Sequence, residues 1–229
     1  MTYTELVTAI QTYTENTFPS TTLADGTVVS STTQLNRFIT QAEQRIYNTV
    51  QIANLRKNMT GTVTAGNPYL SAPDDFLSAY SLAVISGGEY LYLLNKDVNF
   101  MREAYPNTAV AYRGKPKHYA IFGPQSSAVT ELSFMLGPTP DTTYSVELHF
   151  YYYPESIVTA GTTWLGDNFD SALLNATMVE AIRYMKGEAD MVKLYQDMYL
   201  QSIALLKNLG DGKQRMDAYR DGQVRTQVQ

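Results

Sequence analysis

The feature that most limits the possible folds is a change of hydrophobic period, made twice along the chain. Near the N-terminus apolar residues recur at helical spacing: Tyr3, Leu6, Val7, Ile10 and Tyr13, then Leu35, Phe38, Ile39, Ala42, Ile46 and Val50. From Met59 the pattern alternates. It does so most cleanly at Tyr144, Val146, Leu148, Phe150 and Tyr152, with Ser145, Glu147, His149, Tyr151 and Tyr153 between them. After Pro154 helical spacing returns. A helix-period run does not settle as a strand, so the middle is an insert of about a hundred residues between two helical parts. Short links such as Gly137-Pro138-Thr139-Pro140-Asp141 suit an antiparallel meander, because parallel strands need crossovers of a dozen residues or more.

These periods predict an α+β protein. Its N- and C-terminal helices (residues 1–58 and 156–210) form one helical bundle around an inserted antiparallel β domain (59–155), and residues 211–229 form an extended arm. Residues 20–33 read as a long exposed loop with an Asp25-Gly26 turn and no assignable role. Ser31 with Gln34 reads as a capping box for the second helix. Strands on either side of Gly87-Gly88 read as a hairpin, and Asp97 caps a helical turn or two. Asp170 is the expected N-cap of a third helix, with Phe169 as its hydrophobic staple and Leu174, Met178, Ala181, Ile182 and Met185 as its apolar face. Gly187 breaks the helical run. A fourth helix, Glu188 to Asn208, is ~31 Å long at 1.5 Å per residue and stops at Gly210-Asp211-Gly212.

The fourth helix carries Leu194, Met198, Leu205 and Leu209 along one face, widened by Tyr195, Tyr199 and Leu206. One-sided helices must lie against something. The two ends of the chain partner each other, and the surplus apolar area predicts packing between copies through Leu194, Tyr195, Met198, Tyr199, Leu205 and Leu206.

Composition removes several function classes. With no cysteine there is no disulfide framework and no thiolate metal site. No apolar run approaches the ~20 residues that span a bilayer. Met1 to Glu5 lacks the basic and apolar regions of a secretory signal, so the expected site of synthesis is a cytoplasm. A net charge of −5 argues against wrapping nucleic acid but not against lining a passage for DNA, since an acidic wall repels the phosphate backbone. The 18 tyrosines suit either a half-buried contact surface or a tyrosine-rich sheet.

Catalytic patterns are weak. His118 and His149 fall in strands without a carboxylate motif, and a surface strand histidine is the simpler reading. Asp74-Asp75, paired with Glu131 or Glu147, is the only route to a glycan hydrolase, yet a Pro-Asp-Asp turn more often starts a helical turn. Asp167, Asn168 and Asp170 suit helix capping better than a cation. Gly210-Asp211-Gly212-Lys213 lacks the strand and spacing of a phosphate loop. Trp164 is assigned to packing. No enzyme, cofactor or metal is expected. In the tail, Lys213, Arg215, Arg220 and Arg225 interleave with Asp211, Asp217 and Asp221, a mixture suited to a protein groove rather than to DNA.

The layout, and four stretches within it, resemble the head-to-tail adaptors of short-tailed, T7-like bacteriophages, the tail tubular protein A family. The stretches are Tyr69-Leu-Ser-Ala-Pro-Asp-Asp-Phe-Leu77, Leu93-Leu-Asn-Lys-Asp-Val-Asn-Phe100, Leu132-Ser-Phe-Met-Leu-Gly-Pro138 and Thr162-Thr-Trp-Leu-Gly-Asp-Asn-Phe-Asp170. The resemblance covers nearly the whole chain. It implies a structural protein of the virion neck: a homo-oligomeric ring of twelve copies docked under the portal protein. That ring continues the DNA channel into the tail nozzle or tube and offers a surface to tail fibres. The genome passes without specific binding and no membrane is involved. The arm, through Lys213, Arg215, Met216, Tyr219, Arg220, Val224 and Arg225, would lie along the portal. Two other classes stay open: a receptor- or glycan-binding tail module, and last a cell-wall glycan hydrolase.

Overall fold

The computed structural model describes residues 1–123 and 132–209. The chain divides into two compact units, one from Met1–Leu55 with Pro154–Gln229 and the other from Arg56–Tyr153.

The chain opens with α1 (Tyr3–Thr14), held by a capping box between Thr2 and Glu5 and burying Leu6 and Ile10. Residues 20–33, expected as an open loop, instead carry a two-stranded ribbon, β1 (Thr21–Thr22) antiparallel to β2 (Val28–Val29). Helix α2 (Ser31–Thr49) follows, and its cap is Ser30, one residue earlier than expected, whose Oγ accepts the Thr33 N–H at 3.1 Å. Gln34 does not close a capping box. Its side chain is buried and donates to the Pro19 and Val29 carbonyls at 3.0 and 3.3 Å, which ties the ribbon to the helix.

The middle unit holds β3 (Arg56–Val63), β4 (Tyr69–Ser71), β5 (Ser78–Ser86), β6 (Glu89–Tyr92), β7 (Leu94–Asn95), α3 (Val98–Ala104), β8 (His118–Phe122), β9 (Ser133–Gly137) and β10 (Tyr144–Tyr151). They form two four-stranded sheets, ordered β3-β10-β5-β6 and β4-β9-β8-β7. All neighbours are antiparallel except β7 and β8. The expected meander is therefore corrected: β10 returns from the end of the insert to lie between β3 and β5. Its alternation behaves as read, with Tyr144, Val146, Leu148 and Phe150 buried together with Leu82, Val84, Tyr119, Phe134 and Leu136 in one core. Strand β9 is buried on both faces, because Met135 points away from that core to meet Met101 of α3 and Ala120. At Gly137 a Cβ would stand 2.4 Å from the Tyr105 ring and 2.6 Å from the Met101 methyl, so glycine is what admits α3 this close.

The chain then returns through α4 (Ile157–Ala160) and α5 (Trp164–Asn168) to α6 (Asp170–Tyr184) and α7 (Ala189–Asn208). Asp170 is the first residue of α6 rather than its cap. The short helix α5, capped by Thr163, precedes it, and Phe169 packs on Trp164 with ring centroids 5.6 Å apart. Helix α6 is not one-sided. Ala172, Leu173, Asn175, Ala176, Thr177, Met178, Val179, Ala181 and Ile182 are all buried, because α1, α2 and α7 pack around it. The break between α6 and α7 falls at Lys186 (φ 55°) and Gly187. Phe18, Phe38 and Tyr184 cluster at one end of this bundle, Phe18 and Phe38 edge to face and Phe38 and Tyr184 tilted, with centroids at 5.4 and 5.1 Å.

Candidate assembly surface

Helix α7 is where the structure leaves apolar side chains without a home. Its inward face is Tyr199, Ser202, Ile203 and Leu206, packed on α6. Ser202 is accommodated there because its hydroxyl donates to the Met198 carbonyl at 2.9 Å. Met191, Leu194, Met198 and Leu205 are instead 43, 51, 41 and 65 % exposed. Their spacing of three, four and seven residues puts them on a single stripe of the helix beside the buried face.

Of the six residues expected to pack between copies, then, the structure separates two groups. Tyr199 and Leu206 are buried in their own subunit and hold α7 to it, while Leu194, Met198 and Leu205 lie open and Tyr195 is half-buried. The stripe is charged on one flank. Asp190 and Asp197 are exposed on the adjoining side of the helix and neither has an ion-pair partner among the described residues.

Behind α7 a polar cluster locks the bundle. The Arg45 guanidinium on α2 pairs with Glu180 on α6, and Arg183 reaches the same carboxylate at 3.7 Å. Arg45 also lies over the Tyr199 ring, 5.9 Å from its centroid. The Tyr199 hydroxyl is buried with no hydrogen-bond partner among the described residues.

A second buried polar contact joins α2 to the start of α4. Glu43, 2 % exposed, accepts the Ile157 N–H at 2.9 Å and the Ser156 hydroxyl. Burial pushes its carboxyl above the ordinary 4.5, outweighing those two hydrogen bonds. Sequence reading passed over Glu43, although its position four residues after Ile39 places a charge on the apolar face of α2.

The remaining candidates do not converge. His118 on β8 bonds Tyr105 through Nδ1 at 2.7 Å, and His149 on β10 bonds Ser81 through Nδ1 at 3.2 Å; they belong to different sheets. Ser81 faces His149 across β5 and β10, and Glu147 lies two residues before His149 on the same strand, 3.9 Å from Nε2. That exceeds hydrogen-bond reach, and Glu147 is engaged by Asn58 at 2.6 Å. Asp75 is paired with Lys57 at 2.6 Å. Asp170 accepts the Ser171 N–H, and Asn168 donates to the Trp164 carbonyl, so both serve their helices. Among the described residues no group of acidic or histidine side chains is arranged to hold a metal ion, and no helix is long and apolar enough to cross a membrane. Glu131 and the arm residues Lys213, Arg215, Met216, Tyr219, Arg220, Val224 and Arg225 lie outside the described residues.

Comparison with curated proteins gives no match. A family model described as SU10 adaptor protein matches residues 1–227. An α+β chain with helices at both ends and an unpaired apolar stripe on its last described helix is consistent with a protein whose work is contact. With the match running nearly end to end, the chain belongs to the SU10 adaptor protein family, structural adaptors of the bacteriophage virion rather than a family of enzymes.

Proposed function

We propose that the protein is a head-to-tail adaptor of a short-tailed phage. Copies associate side by side into a closed ring, twelve in the family it resembles. The ring is seated under the portal protein and continues the DNA channel into the tail nozzle or tube. The observation that carries this reading is the stripe Met191, Leu194, Met198 and Leu205, apolar area that the subunit's own core leaves uncovered. A net charge of −5 per chain suits a channel through which DNA slides without specific binding. Residues 211–229 reach along the portal, and the middle unit offers its surface to nozzle proteins or fibres.

Two measurements on the full-length protein test this. Its mass, alone and mixed with its portal, is expected to correspond to a closed multimer. Removal of residues 213–229 is expected to leave the fold intact and abolish portal binding, whereas unchanged affinity removes the arm from the account. A receptor- or glycan-binding module is a second reading, favoured by Tyr80, Tyr90, Tyr92 and Tyr112, which are 55, 53, 64 and 63 % exposed. A trimeric mass with no portal binding supports that alternative instead.

A further inference from the structure

A closed ring requires two different surfaces on each subunit, one that inserts and one that receives. Helix α7 supplies the first. The same unit carries a cleft of about 470 Å³ between the β1–β2 ribbon, the first half of α2 and the last turn of α6. Leu23, Phe38 and Tyr184 line it, with Leu23 and Tyr184 about half exposed at 50 and 48 %. Arg37 and Arg183 stand in its wall. Arg37 is exposed and has no acidic partner among the described residues, and Arg183 has only the Glu180 carboxylate at 3.7 Å, which it shares with Arg45. Thr21, Gln34, Gln41 and Glu180 line it as well, so the cleft joins an apolar patch at Leu23, Phe38 and Tyr184 to a polar wall in which, among the described residues, Arg37 has no acidic partner of its own and Arg183 only the shared Glu180. No residue of α7 lines it.

We propose that this cleft receives α7 of a neighbouring copy. Leu194 and Met198 enter between Leu23, Phe38 and Tyr184, while the neighbour's Asp190 and Asp197 face Arg37 and Arg183. The match is one of both kind and sign: an apolar ridge flanked by two unpaired carboxylates meets the Leu23–Phe38–Tyr184 patch beside two guanidiniums that have between them, among the described residues, only the Glu180 carboxylate. Asp190 and Asp197 are two helical turns apart, about 10 Å along the axis, so they bracket the two inserted side chains. Lys207 falls on the far side of α7 from the cleft, while Lys193, three residues after Asp190 and four before Asp197, lies beside the carboxylates on the flank away from Leu194 and Met198. Because ridge and cleft are distinct surfaces, the contact is heterologous and repeats around a ring instead of ending at a dimer. This inference rests on the ring reading above.

Paired charge reversals in the full-length chain test it. Asp190→Arg with Asp197→Arg is expected to abolish self-association, and so is Arg37→Glu with Arg183→Glu, each weakening it at least tenfold. All four residues are exposed, so the folded monomer is retained, which circular dichroism checks. Mixing the two double variants restores multimers, since each basic ridge then meets an acidic cleft and each acidic ridge a basic one. The chain has no cysteine, which permits a second check: Leu23→Cys with Leu194→Cys, treated with a short bis-maleimide, gives a ladder beyond dimer, and neither single variant does. A wild-type chain that assembles while the arginine variant assembles equally well overturns the cleft's role and leaves the ring reading standing. Dimers cross-linked from Leu194→Cys alone overturn the heterologous contact in favour of ridge against ridge. A wild-type chain that stays monomeric both alone and on its portal overturns the ring reading itself.

Discussion

Leu205 and Leu206 are adjacent in sequence and opposite in environment, 65 and 0 % exposed. Truncating each to alanine separates folding from assembly. Leu206→Ala empties a fully buried site against α6, and such changes cost about 2–5 kcal/mol according to how far the surroundings collapse. Leu206 lies in the last turn of α7, where the helix end can settle inward, so about 3 kcal/mol is expected. At about 2–4 °C per kcal/mol for a chain of this length, the melting midpoint falls by about 6–12 °C. Leu205→Ala removes a side chain that touches little of its own subunit, and the fold changes by less than about 0.5 kcal/mol. Burying a leucine fully contributes about 1.5–3 kcal/mol. With two thirds of its surface still to lose, Leu205 contributes about 1–2 kcal/mol to a contact between copies, a factor of about 5–30 in affinity. Urea unfolding at concentrations where the chain is monomeric reads the folding difference free of linkage to assembly, and sedimentation velocity reads the association. If Leu205→Ala unfolds as readily as Leu206→Ala, or associates as well as the wild type, the assignment of inner and outer faces on α7 is refuted.

Glu43→Ala is expected to cost about 1–3 kcal/mol by leaving the buried Ile157 N–H without an acceptor. Because burial holds the folded carboxyl above 4.5, the folded state binds more protons than the unfolded one in that window. The wild type therefore gains stability relative to the variant as pH falls from 7 through the raised value toward 4.5. Urea titrations at pH 7 and pH 5 read the gap, and a gap that narrows on acidification contradicts the burial argument. Gly137→Ala forces a methyl into the Tyr105 ring and is expected to cost about 1–3 kcal/mol as overpacking; a variant with wild-type unfolding midpoint shows that α3 yields freely. Tyr199→Phe removes a buried hydroxyl that has no partner among the described residues. It is expected to leave stability unchanged or raise it by up to about 1 kcal/mol, and a loss above that in thermal melts reveals a partner for the hydroxyl.

The change of period is legible in the sequence, because alternation and helical spacing place side chains by covalent geometry alone. The face that each helix turns inward was less so. Helix α6 looked one-sided because Ala172, Ala176, Thr177 and Asn175 are small or polar residues equally at home in water; only the convergence of α1, α2 and α7 buries them. On α7 the helical spacing puts Leu194, Tyr195, Met198, Tyr199, Leu205 and Leu206 on one stripe for packing between copies. The helix instead turns inward Tyr199, Ser202, Ile203 and Leu206, with the serine satisfied by its own backbone. Hydrophobicity gave the period but did not separate the residues that face their own subunit, Tyr199 and Leu206, from those left open, as expected where a helix has a second set of contacts to make. Strand order was not legible either, since β10 finds β3 and β5 across some sixty to ninety-five residues of chain and nothing local encodes that choice. The ribbon in residues 21–29 hid in a Ser/Thr-rich stretch for the same reason, and the Arg37–Arg183 cleft behind it needed the fold before its residues met.

Electron-microscopy averages of the full-length protein bound to its portal bear most directly on whether α7 is completed by a sister copy. A closed ring with rotational symmetry, in which the α7 stripe of each subunit is covered by the next, is the expected image. Portals that stay bare, or that carry isolated subunits with α7 facing solvent, would contradict it.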